Sequence, residues 1–428
     1  MSLLIYRLFL SLYLIGVKIT APWNAKSRRW LQGRNDILRH IREVMGTPGQ
    51  PVVWMHAASL GEFEQGRPVL EHLRSLYPRY KYVITFFSPS GYDIAKNYKG
   101  ADHVFYLPFD SPANARQMLD IFKPSLVLWI KYDYWYFYLH EMKKRSIPVL
   151  LVSGIFRRDQ VFFKWYGGIN RMMLRFITHF FVQTDHSQEL LQSLGISTVT
   201  VGGDTRFDRV IEIAEQAAPI PVIDAFCGHS PVIVAGSTWQ EDDEELDHFA
   251  NTHPEIKFIV APHDIEEERL REAEALYKHT IRYSSMLQRA PMEANSEPAM
   301  DARPAPNVLI IDNIGLLSRL YRYATIAWVG GGFGDDGVHN VLEAAVYGRP
   351  VVFGPVYDKY IEAIELVGSG GGFSVENALE AENLFTSLLI DHVQYEEACQ
   401  ASRDYVLAKK GATERILAYI QENRLLTN

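Results

Sequence analysis

One carboxylate stands where a buried strand is predicted to deliver a helix. Residues 52–56 form a short apolar run, small residues and Gly61 follow it, and apolar residues at helical spacing begin after Glu62. This pattern is typical of a parallel strand that leads through a turn into a helix N-terminus. Ligands of open α/β sheets bind at the carboxyl ends of such strands, and the helix dipole favours an ionised carboxylate there. Glu62 is therefore a candidate general base. Residue type alone favours a surface residue that only complements the dipole, and the second half of the chain reverses that preference.

A second group of residues could hold an anion. The strand-like segment 326–329 runs into a glycine cluster that includes Gly331 and Gly332, and a helix is predicted from about His339. Glycines at such a junction let backbone N–H groups approach a phosphate, which the helix N-terminus then stabilises. The pattern is neither GxGxxG nor a P-loop, so it favours one phosphate group over a triphosphate. Glu343 could accept hydrogen bonds from a ribose diol; the alternative is a tight turn followed by a helix that Glu343 merely fills.

Polar loops follow three more predicted strands in the same half of the chain. They are the loop 236–238 with two hydroxyl groups, the pair Pro262 and His263, and the loop that contains Ile314, Gly315 and Leu316. Each loop is weak evidence alone, because turns commonly hold serine, asparagine and glycine. Their shared position at strand carboxyl ends favours one common binding site.

Polar residues also follow predicted strands in the first half of the chain. Ser88, Ser90, Gly91 and Arg206 could meet a phosphate or a carboxylate; the alternative is turn chemistry with a surface cation. Asp133 lies among aromatic residues that could belong to the core or line an acceptor groove.

The acidic run 241–245 could suggest a metal site. At the start of a predicted helix, however, such a run is typical of a solvated first turn that complements the dipole. The same interpretation applies to Asp335 and Asp336.

Strand-like and helical segments alternate along the chain, which is typical of right-handed βαβ units and a mostly parallel sheet. The predicted strands are 52–56, 82–87, 103–107, 126–130, 148–153, 179–183 and 198–201, then 232–235, 258–261, 308–311, 326–329 and 351–353. The proline-bearing segment 217–221 is predicted to be a linker. The sequence thus predicts α/β domains at 23–216 and 222–428, with a ligand cleft between them and a last helix that could cross back to the first domain. Residues 289–306 are predicted to form an exposed, mobile loop.

Composition excludes several classes of protein. A chain of 428 residues is too long for one ordinary core, and its 47% hydrophobic and 22% charged residues are those of a soluble globular protein. The net charge of -8 argues against general nucleic-acid binding. The cysteines, Cys227 and Cys399, allow no disulfide framework and have no partners at metal-ligand spacing, which fits a reducing compartment.

The N-terminus is predicted to attach the protein to a membrane. Residues 8–17 are apolar apart from Ser11, Arg7 and Lys18 flank them, and six basic residues follow, Lys26, Arg28, Arg29, Arg34, Arg39 and Arg42. A spanning helix needs about 20 apolar residues, so this segment spans only if its flanking cations reach the interfaces. Basic residues after the run favour a cytoplasmic location for the rest of the chain. We predict an anchor at 1–22 with a basic collar for anionic lipid; a core helix or a secretory signal is the alternative.

Four segments resemble motifs of the 3-deoxy-D-manno-octulosonic acid (Kdo) transferase family. Residues 56–62, HAASLGE, resemble its HAVSVGE motif, and residues 328–345, WVGGGFGDDGVHNVLEAA, are similar to FVGGS…GGHNPLEAA. Residues 203–208, GDTRFD, resemble GSLKFD, and residues 235–238, AGST, resemble ATST. The motifs follow the family's order, and with the anchor and the chain length the resemblance covers essentially the whole chain.

The resemblance implies an α/β GT-B fold, in which two Rossmann-like parallel-sheet domains face a central cleft. It implies transfer of Kdo from CMP-Kdo to a lipid A precursor, lipid IVA, in lipopolysaccharide core biosynthesis at the cytoplasmic face of the inner membrane. Glu62 would then be the general base. CMP would contact Pro262, His263, Ile314, Gly315, Leu316, Asn340, Val341, Leu342 and Glu343. The family implies no metal ion and no cofactor, and nucleic acid is not an expected partner.

Three positions depart from the family's motifs. Its PRH motif is replaced by Pro262-His263-Asp264, so His263 would have to substitute for an arginine at the donor phosphate, which a neutral imidazole does less strongly. Its TELWPN motif is replaced by residues 132–137, YDYWYF, which puts the acceptor contacts there in doubt. Leu316 stands where the family often has an acid, so only its backbone is expected to contribute.

The sequence therefore predicts an inverting glycosyltransferase. Two alternatives stay open: a GT-B enzyme that uses a UDP-sugar on a lipid or cell-wall acceptor, and a non-catalytic, membrane-attached protein that binds nucleotide sugars.

Overall fold

The structure is a computed structural model that describes residues 3–46, 49–131, 133–293 and 305–427. The chain divides into two compact units: unit 1 contains Met1–Arg209 and Lys410–Asn428, and unit 2 contains Val210–Lys409. This division differs from the predicted limits at 216 and 222 because one helix, Thr205–Gln216, runs through it.

Unit 1 is built on a parallel sheet of seven strands. They are β1 (Val52–Ala57), β2 (Lys81–Phe86), β3 (His103–Tyr106), β4 (Pro124–Ile130), β5 (Val149–Gly154), β6 (His179–Val182) and β7 (Val199–Val201). Their order in the sheet is β3-β2-β1-β4-β5-β6-β7. The chain moves from β1 outward to β3 and then returns to place β4 beside β1. The loops after β1 and β4 therefore diverge and open a crevice at the edge of the sheet.

Helices cover both faces of this sheet. They are α1 (Leu3–Thr20), α2 (Ala25–Gln32), α3 (Ile37–Met45), α4 (Leu60–Leu76), α5 (Pro89–Ala95), α6 (Pro112–Phe122), α7 (Tyr136–Lys144), α8 (Gly168–Leu174), α9 (Asp185–Ser193) and α10 (Thr205–Gln216), with a short 3-10 helix at Val161–Phe163. The apolar run of strand β1 is explained by burial on both faces, because Trp54 packs into one hydrophobic core cluster and Met55 into the other. A parallel strand that is buried on both faces needs apolar residues at every position.

Unit 2 contains a second parallel sheet of seven strands. They are β8 (Val232–Thr238), β9 (Lys257–Pro262), β10 (Thr280–Arg282), β11 (Val308–Ile310), β12 (Ile326–Val329), β13 (Val351–Phe353) and β14 (Gly372–Ser374), in the order β10-β11-β9-β8-β12-β13-β14. The loops after β8 and β12 diverge, as those after β1 and β4 do in unit 1. Its helices are α11 (Pro221–Cys227), α12 (Gln240–Thr252), α13 (Glu267–Leu276), α14 (Tyr283–Glu293), α15 (Leu317–Leu320), α16 (Leu342–Ala345), α17 (Ile361–Ser369), α18 (Ala378–Ile390) and α19 (His392–Ala408), with a 3-10 helix at Tyr321–Tyr323.

The last helix, α20 (Ala412–Glu422), belongs to unit 1. Its Ile416 and Ile420 pack in the same core cluster as Met55. The backbone N–H groups of Gly411 and Thr413 donate to the carboxylate of Asp208, at 2.7 and 2.6 Å. The chain thus ends on the unit in which it begins.

Each predicted strand is present, but three other predictions are wrong. Strands β10 and β14, of three residues each, have no counterpart in the predicted set. The predicted helix from His339 does not form there, because the N–H of His339 donates to Gly330 O at 3.0 Å; the helix is α16, which starts at Leu342 and has only four residues. The predicted loop 289–306 starts too early, since α14 continues to Glu293; residues 294–304 lie outside the described part of the chain.

Helix α1 lies along unit 1. Tyr6 and Leu10 are buried, and the hydroxyl of Tyr6 donates to Asp110 at 2.7 Å. The ring of Tyr13 stacks on Phe109, with the ring centroids 6.0 Å apart. The outer face of α1 is exposed and apolar, with Leu4, Leu8, Phe9, Leu12, Ile15 and Ile19. In the described part of the chain, α1 is the one helix that is long and apolar enough to cross a membrane by length and composition.

Candidate functional site

The first candidate site lies at the crevice of unit 1, where β1 and β4 end. Glu62 follows β1 in the first turn of α4, and Lys131 and Asp133 follow β4. Because β1 and β4 are neighbours in the sheet, these residues come from distant parts of the sequence to one place. This is the position at which open α/β sheets bind their ligands.

The side chain of Glu62 is buried and hydrogen-bonded. Its Oε2 accepts from the backbone N–H groups of Ala58 and Ser59, at 2.5 and 3.1 Å, which forms part of a capping box at the start of α4. Only 9% of the residue is exposed. Burial and the nearby charge of Asp133 raise the pKa of Glu62 to about 7, despite the two hydrogen bonds. Desolvation therefore outweighs the two backbone hydrogen bonds and the charge of Lys131, so the pKa of Glu62 lies near neutral pH rather than in the usual range of a glutamate.

Asp133 links the ends of β4 and β1. Its Oδ2 lies 3.3 Å from Nε2 of His56 and accepts a hydrogen bond from Nε1 of Trp135 at 3.2 Å. His56 is fully buried in β1, and its Nδ1 lies 2.9 Å from the hydroxyl of Thr85 in β2. The carboxylate of Asp133 is therefore a fixed polar group beside Glu62 rather than part of the apolar core; its neighbour Tyr132 lies outside the described residues.

Arg206 and Asp204 form an ion pair in unit 1. Arg206 binds Asp204 through Nε and Nη2, at 2.9 and 2.8 Å, and the amide of Gln65 donates to the same carboxylate at 3.1 Å. Burial opposes the ionisation of Asp204, but the charges of Arg206 and Lys131 outweigh it and lower the pKa of that carboxyl. Lys131 also acts on Glu62, where its charge lowers the pKa. The sequence prediction missed Lys131, although a cation directly after an apolar run was a usable signal.

Ser88, Ser90 and Gly91 form the neighbouring loop after β2. The N–H of Ser88 donates to Ala58 O at 2.8 Å, which places this loop beside the Glu62 turn. The hydroxyls of Ser88 and Ser90 lie 2.8 Å apart at the start of α5. A side chain at Gly91 would collide with the ring of Phe86, 2.4 Å from its Cβ, so this glycine serves close packing.

Strained backbone marks the carboxyl ends of three central strands. Lys131 after β4, Ser153 in β5 and Ser237 in β8 have φ values of 58°, 54° and 54°. Residues other than glycine rarely adopt this left-handed conformation, and such strain clusters at functional sites. Both sheets therefore carry the feature at the edge where ligands are expected.

The second candidate site lies in unit 2, where β8 and β12 end. The glycines after β12 allow neighbouring segments to touch, since a Cβ at Gly330 would lie 2.4 Å from Ser237 O and one at Gly332 would lie 2.5 Å from Gly354 N. The N–H of Gly330 donates to Gly236 O, and the N–H of Gly331 donates to Oδ2 of Asp242, both at 2.9 Å. The amide of Gly331, one of the two glycines predicted to hold a phosphate, is therefore engaged by Asp242, and the role of Gly332 stays a prediction.

Asp242 and Asp243 correct the interpretation of the acidic run. Both are fully buried, because the first turn of α12 faces the end of the sheet rather than solvent. Besides Gly331, Asp242 accepts from the N–H of Trp239 at 2.9 Å and from Nε1 of Trp328 at 3.3 Å, and burial raises its pKa to about 6. Asp243 forms an ion pair with Arg269. Asp242 accepts from the N–H of the N-cap residue Trp239, but tryptophan has no side-chain acceptor, so the sequence shows no capping-box motif that would have signalled this burial.

Three rings from three loops of unit 2 lie together. The ring of His263, after β9, stacks on those of Trp239 and His339, with both centroid distances 4.6 Å. Nε1 of Trp239 donates to Nε2 of His339 at 3.1 Å. Burial lowers the pKa of His263, and burial together with the adjacent His263 lowers the pKa of His339 to about 4. Both imidazoles are therefore neutral at pH 7.

The other predicted donor residues differ in accessibility. Asn340 is half-buried; it donates to Oε1 of Glu343 at 3.1 Å and accepts from the N–H of Leu342 at 3.3 Å. Val341 and Leu342 are buried, so their side chains serve packing. The remaining predicted donor residues lie at the ends of β9 and β11. Pro262, the last residue of β9, and Leu316 are buried, whereas Ile314 and Gly315 are exposed. Gly315 has a φ of 93°, which a turn at this point requires.

Comparison with known proteins gives the fold and then a resemblance to one family. The chain superposes on the UDP-GlcNAc 2-epimerase from Neisseria meningitidis bound to UDP-GlcNAc, with a TM-score of 0.61 and 18% identity over 87% of this chain and 100% of that chain. With its two parallel sheets of seven strands, the protein has a GT-B-like fold.

Sequence comparison is more specific than fold. Residues 34–209 match the family described as 3-deoxy-D-manno-octulosonic-acid transferase. The chain is 25% identical to the 3-deoxy-D-manno-octulosonic acid transferase of Aquifex aeolicus over 347 residues, 79% of this chain and 86% of the relative. It is 27% identical over 392 residues, 87% of this chain, to a bifunctional glycosyltransferase/methyltransferase of Fusobacterium nucleatum, of which it spans only 55%. The part of the chain at residues 34–209 is thus similar to the Kdo transferase family, and relatives that carry this name align with most of the chain.

Proposed function

We propose that this protein transfers Kdo from CMP-Kdo to a lipid A precursor, with inversion at the anomeric carbon. The observation that carries the proposal is a buried carboxylate whose pKa is about 7, in the crevice of unit 1 and within the segment that matches the Kdo transferase family. A general base works best when its pKa lies near the operating pH.

In this proposal Glu62 acts as the base. Its carboxylate removes the proton from a hydroxyl group of the acceptor while the hydroxyl oxygen attacks the anomeric carbon of Kdo. The bond between that carbon and the phosphate oxygen breaks on the opposite face, and CMP leaves with the electron pair. The hydrogen bonds from Ala58 and Ser59 use Oε2 and fix the orientation of the carboxylate. The charge of Lys131 stabilises the ionised base, and the charge of Asp133 opposes it.

Unit 2 is assigned the donor. Glu343, oriented by Asn340, accepts hydrogen bonds from the ribose hydroxyls. The exposed backbone at Gly315 contacts the nucleotide, together with Pro262 and the neighbouring backbone of Leu316. His263 presents a neutral imidazole as a hydrogen-bond donor to the phosphate in place of the family's arginine, and His339 and Trp239 hold that ring in place. No metal ion or cofactor takes part in this proposal.

Unit 1 is assigned the acceptor and the membrane. One side of α1 packs on unit 1 through Tyr6, Leu10 and Tyr13, and the other side is exposed and apolar. A helix covered by protein along one side suits attachment in the plane of the membrane interface better than a path across it. The exposed cations that follow α1, Lys26, Arg28, Arg29, Arg39 and Arg42, then face anionic lipid at the cytoplasmic face of the inner membrane. Arg34 is not one of them, because it is half-buried and donates to the carbonyl groups of Leu107 and Phe87. Arg206 and the loop of Ser88 and Ser90 would contact the acceptor's phosphates.

The test is analysis of the product made by purified protein from CMP-Kdo and a tetraacyl glucosamine disaccharide bisphosphate. Mass spectrometry of the lipid product is expected to show the added mass of Kdo, with release of CMP. An unchanged acceptor, under conditions in which an established Kdo transferase converts it, would contradict the proposal.

A UDP-sugar transferase is the alternative that the sequence leaves open. His263 and His339 are both neutral, so these rings do not replace the charge of the arginine in the family's PRH motif. Thermal unfolding with CMP and with UDP separates the two candidates. The first proposal requires the midpoint of unfolding to rise more with CMP than with UDP at equal concentration, and the reverse order would favour the second.

A further inference from the structure

An open pocket of about 570 Å³ lies in unit 1 on the side that carries α1. Three segments form its walls. The first is α1, with Ile5, Tyr6 and Phe9, and the second is residues 133–135 after β4. The third contributes Gln160, Val161, Phe162, Asn170 and Met173. Its size is within the range of about 300–1,000 Å³ that small-molecule sites in proteins have. We call it the α1 pocket.

The α1 pocket continues the apolar outer face of α1. Ile5 and Phe9 line it and are also half exposed, at 50% and 54%, so the same residues belong to the pocket and to the helix surface. On its far wall, Phe162 and Met173 are core residues. An apolar ligand could therefore pass from the membrane-facing side of α1 into the protein without meeting a charged wall.

The inner end of the pocket reaches the reactive part of unit 1. Asp133 lines it, and the same carboxylate contacts His56 and raises the pKa of Glu62. The arrangement is that of a site for an amphiphile, with an apolar channel and a polar inner end.

Asn170 adds a polar mismatch to this apolar wall. Its Oδ1 is buried and, among the described residues, has no hydrogen-bond partner. A buried acceptor without a partner costs stability, so this side chain is also a position where an apolar substitution is expected to be tolerated.

We propose that the α1 pocket binds one acyl chain of the lipid acceptor and so positions the sugar end of that lipid at Glu62. This inference rests on the proposed function, because it takes the lipid acceptor from it. The chain comes from the acceptor rather than from the surrounding bilayer, since the pocket ends at Asp133, beside the candidate base, and not at a closed apolar wall.

The first test measures binding directly and does not depend on transfer. Dansyl-labelled undecanoic acid is titrated into the full-length protein, and the dansyl emission reports entry into an apolar site. Two substitutions fill the pocket, Val161→Trp and Asn170→Trp, and Ile94→Trp adds the same ring at an exposed position of α5 as the control. The two filling variants are expected to bind the probe at least about tenfold more weakly than the wild type. Unchanged affinity in both folded variants would overturn the proposal.

The second test compares two acceptors that differ only in their acyl chains. Turnover with CMP-Kdo is measured on the tetraacyl disaccharide bisphosphate and on its fully deacylated form. Val161→Trp is expected to raise KM for the acylated acceptor about tenfold or more, towards the value for the deacylated one, with kcat and the deacylated reaction unchanged. An equal loss on both acceptors would mean a structural effect and would overturn the proposal. If the wild type uses neither acceptor, the proposed function fails, and the probe titration still decides whether the pocket binds acyl chains.

Asn170→Leu separates filling from polarity. It removes the unpartnered amide oxygen without adding a large ring. The acyl-chain proposal expects probe binding equal to or tighter than that of the wild type. Weaker binding by Asn170→Leu would show that the site recognises a polar group and would overturn the assignment to an acyl chain.

Discussion

The two crevices of this protein have the same origin in sheet topology and opposite chemistry. Each forms where neighbouring strands send their following loops in different directions, β1 and β4 in unit 1 and β8 and β12 in unit 2. In unit 1 the crevice gathers charged groups that burial perturbs, with Glu62 at a pKa of about 7. In unit 2 the loops place neutral rings and close-packed glycines there, and the buried carboxylate of Asp242 accepts three N–H groups.

The difference teaches that position in the sheet selects where a site forms but not what it does. Glu62 and Asp242 both stand in the first turn of a helix at the end of a central strand. Both accept backbone N–H groups, and burial raises the pKa of both, to about 7 and about 6. Both carboxylate oxygens of Asp242 accept hydrogen bonds, from Gly331, Trp239 and Trp328, whereas the described hydrogen bonds of Glu62 use only Oε2. We therefore assign proton transfer to unit 1 and binding of the nucleotide donor to unit 2.

The largest expected effect is that of Glu62→Gln. The amide keeps an oxygen that can accept from Ala58 and Ser59 but cannot take a proton, so turnover should fall roughly 10²–10⁴-fold while the thermal midpoint and CMP affinity stay near those of the wild type. Steady-state kinetics with thermal unfolding measures both. Glu64→Gln, two residues further along α4, is the matched control and should retain turnover. Near-normal turnover of Glu62→Gln would show that Glu62 is not the base and serves only to cap α4.

Asp242→Ala should destabilise unit 2. It leaves the N–H groups of Gly331 and Trp239 and Nε1 of Trp328 without their acceptor, and each buried donor without a partner costs about 1–3 kcal/mol. A lower urea midpoint and weaker protection by CMP are expected. Glu241→Ala removes an exposed carboxylate from the same turn of α12 and should change stability by less than about 1 kcal/mol. Equal effects of the two substitutions would show that the buried network around Asp242 does not support the site.

Asp133→Asn and Lys131→Gln should move the titration of Glu62 in opposite directions. Loss of the Asp133 charge lowers the pKa of Glu62, and loss of the Lys131 charge raises it. The pH at which turnover reaches half its plateau should shift down in the first variant and up in the second. Because burial is the larger cause, Asp133→Asn should still titrate above an ordinary glutamate. Shifts of the same sign in both variants would exclude this electrostatic arrangement.

The smallest expected effect is in unit 2, where CMP affinity should change little with pH. Burial lowers the pKa of His263 and brings that of His339 to about 4, so neither ring changes its charge near neutral pH. Calorimetric titration of CMP between about pH 7 and 8.5, above the second pKa of a phosphate near 6, isolates the protein's contribution. A steep loss of affinity with rising pH would indicate that an imidazolium binds the phosphate and would remove the contrast between the units.

Particular residues show how far the sequence could predict the molecule. Buried strands such as β1 and β12 are recognisable because both faces demand apolar residues, and their order along the chain predicts parallel sheets. Glu62, His263 and Asn340 could be singled out because they follow such strands, and their roles stay predictions. The burial of Asp242 and Asp243 was not found, because a helix that starts with acidic residues looks the same whether its first turn faces solvent or a sheet edge. The short α16 was missed for a similar reason, since the fold of His339 back onto Gly330 depends on contacts distant in sequence.

The pKa of Glu62 could not be read from local sequence either. The capping amides of Ala58 and Ser59 act locally and lower it, whereas burial and Asp133 depend on the assembled fold and raise it. The α1 pocket likewise joins segments that are more than a hundred residues apart in the chain.

The most direct test of the assignment of Glu62 is the pH dependence of kcat/KM for the lipid acceptor at saturating CMP-Kdo, measured from about pH 5.5 to 8.5. A base must be deprotonated to act, and the folded pKa of Glu62 is about 7, so the rate should fall as pH drops through that value and level off above it. In Glu62→Gln the residual rate should lack this step. A wild-type rate that is constant across the range, or the same step surviving in Glu62→Gln, would contradict the account.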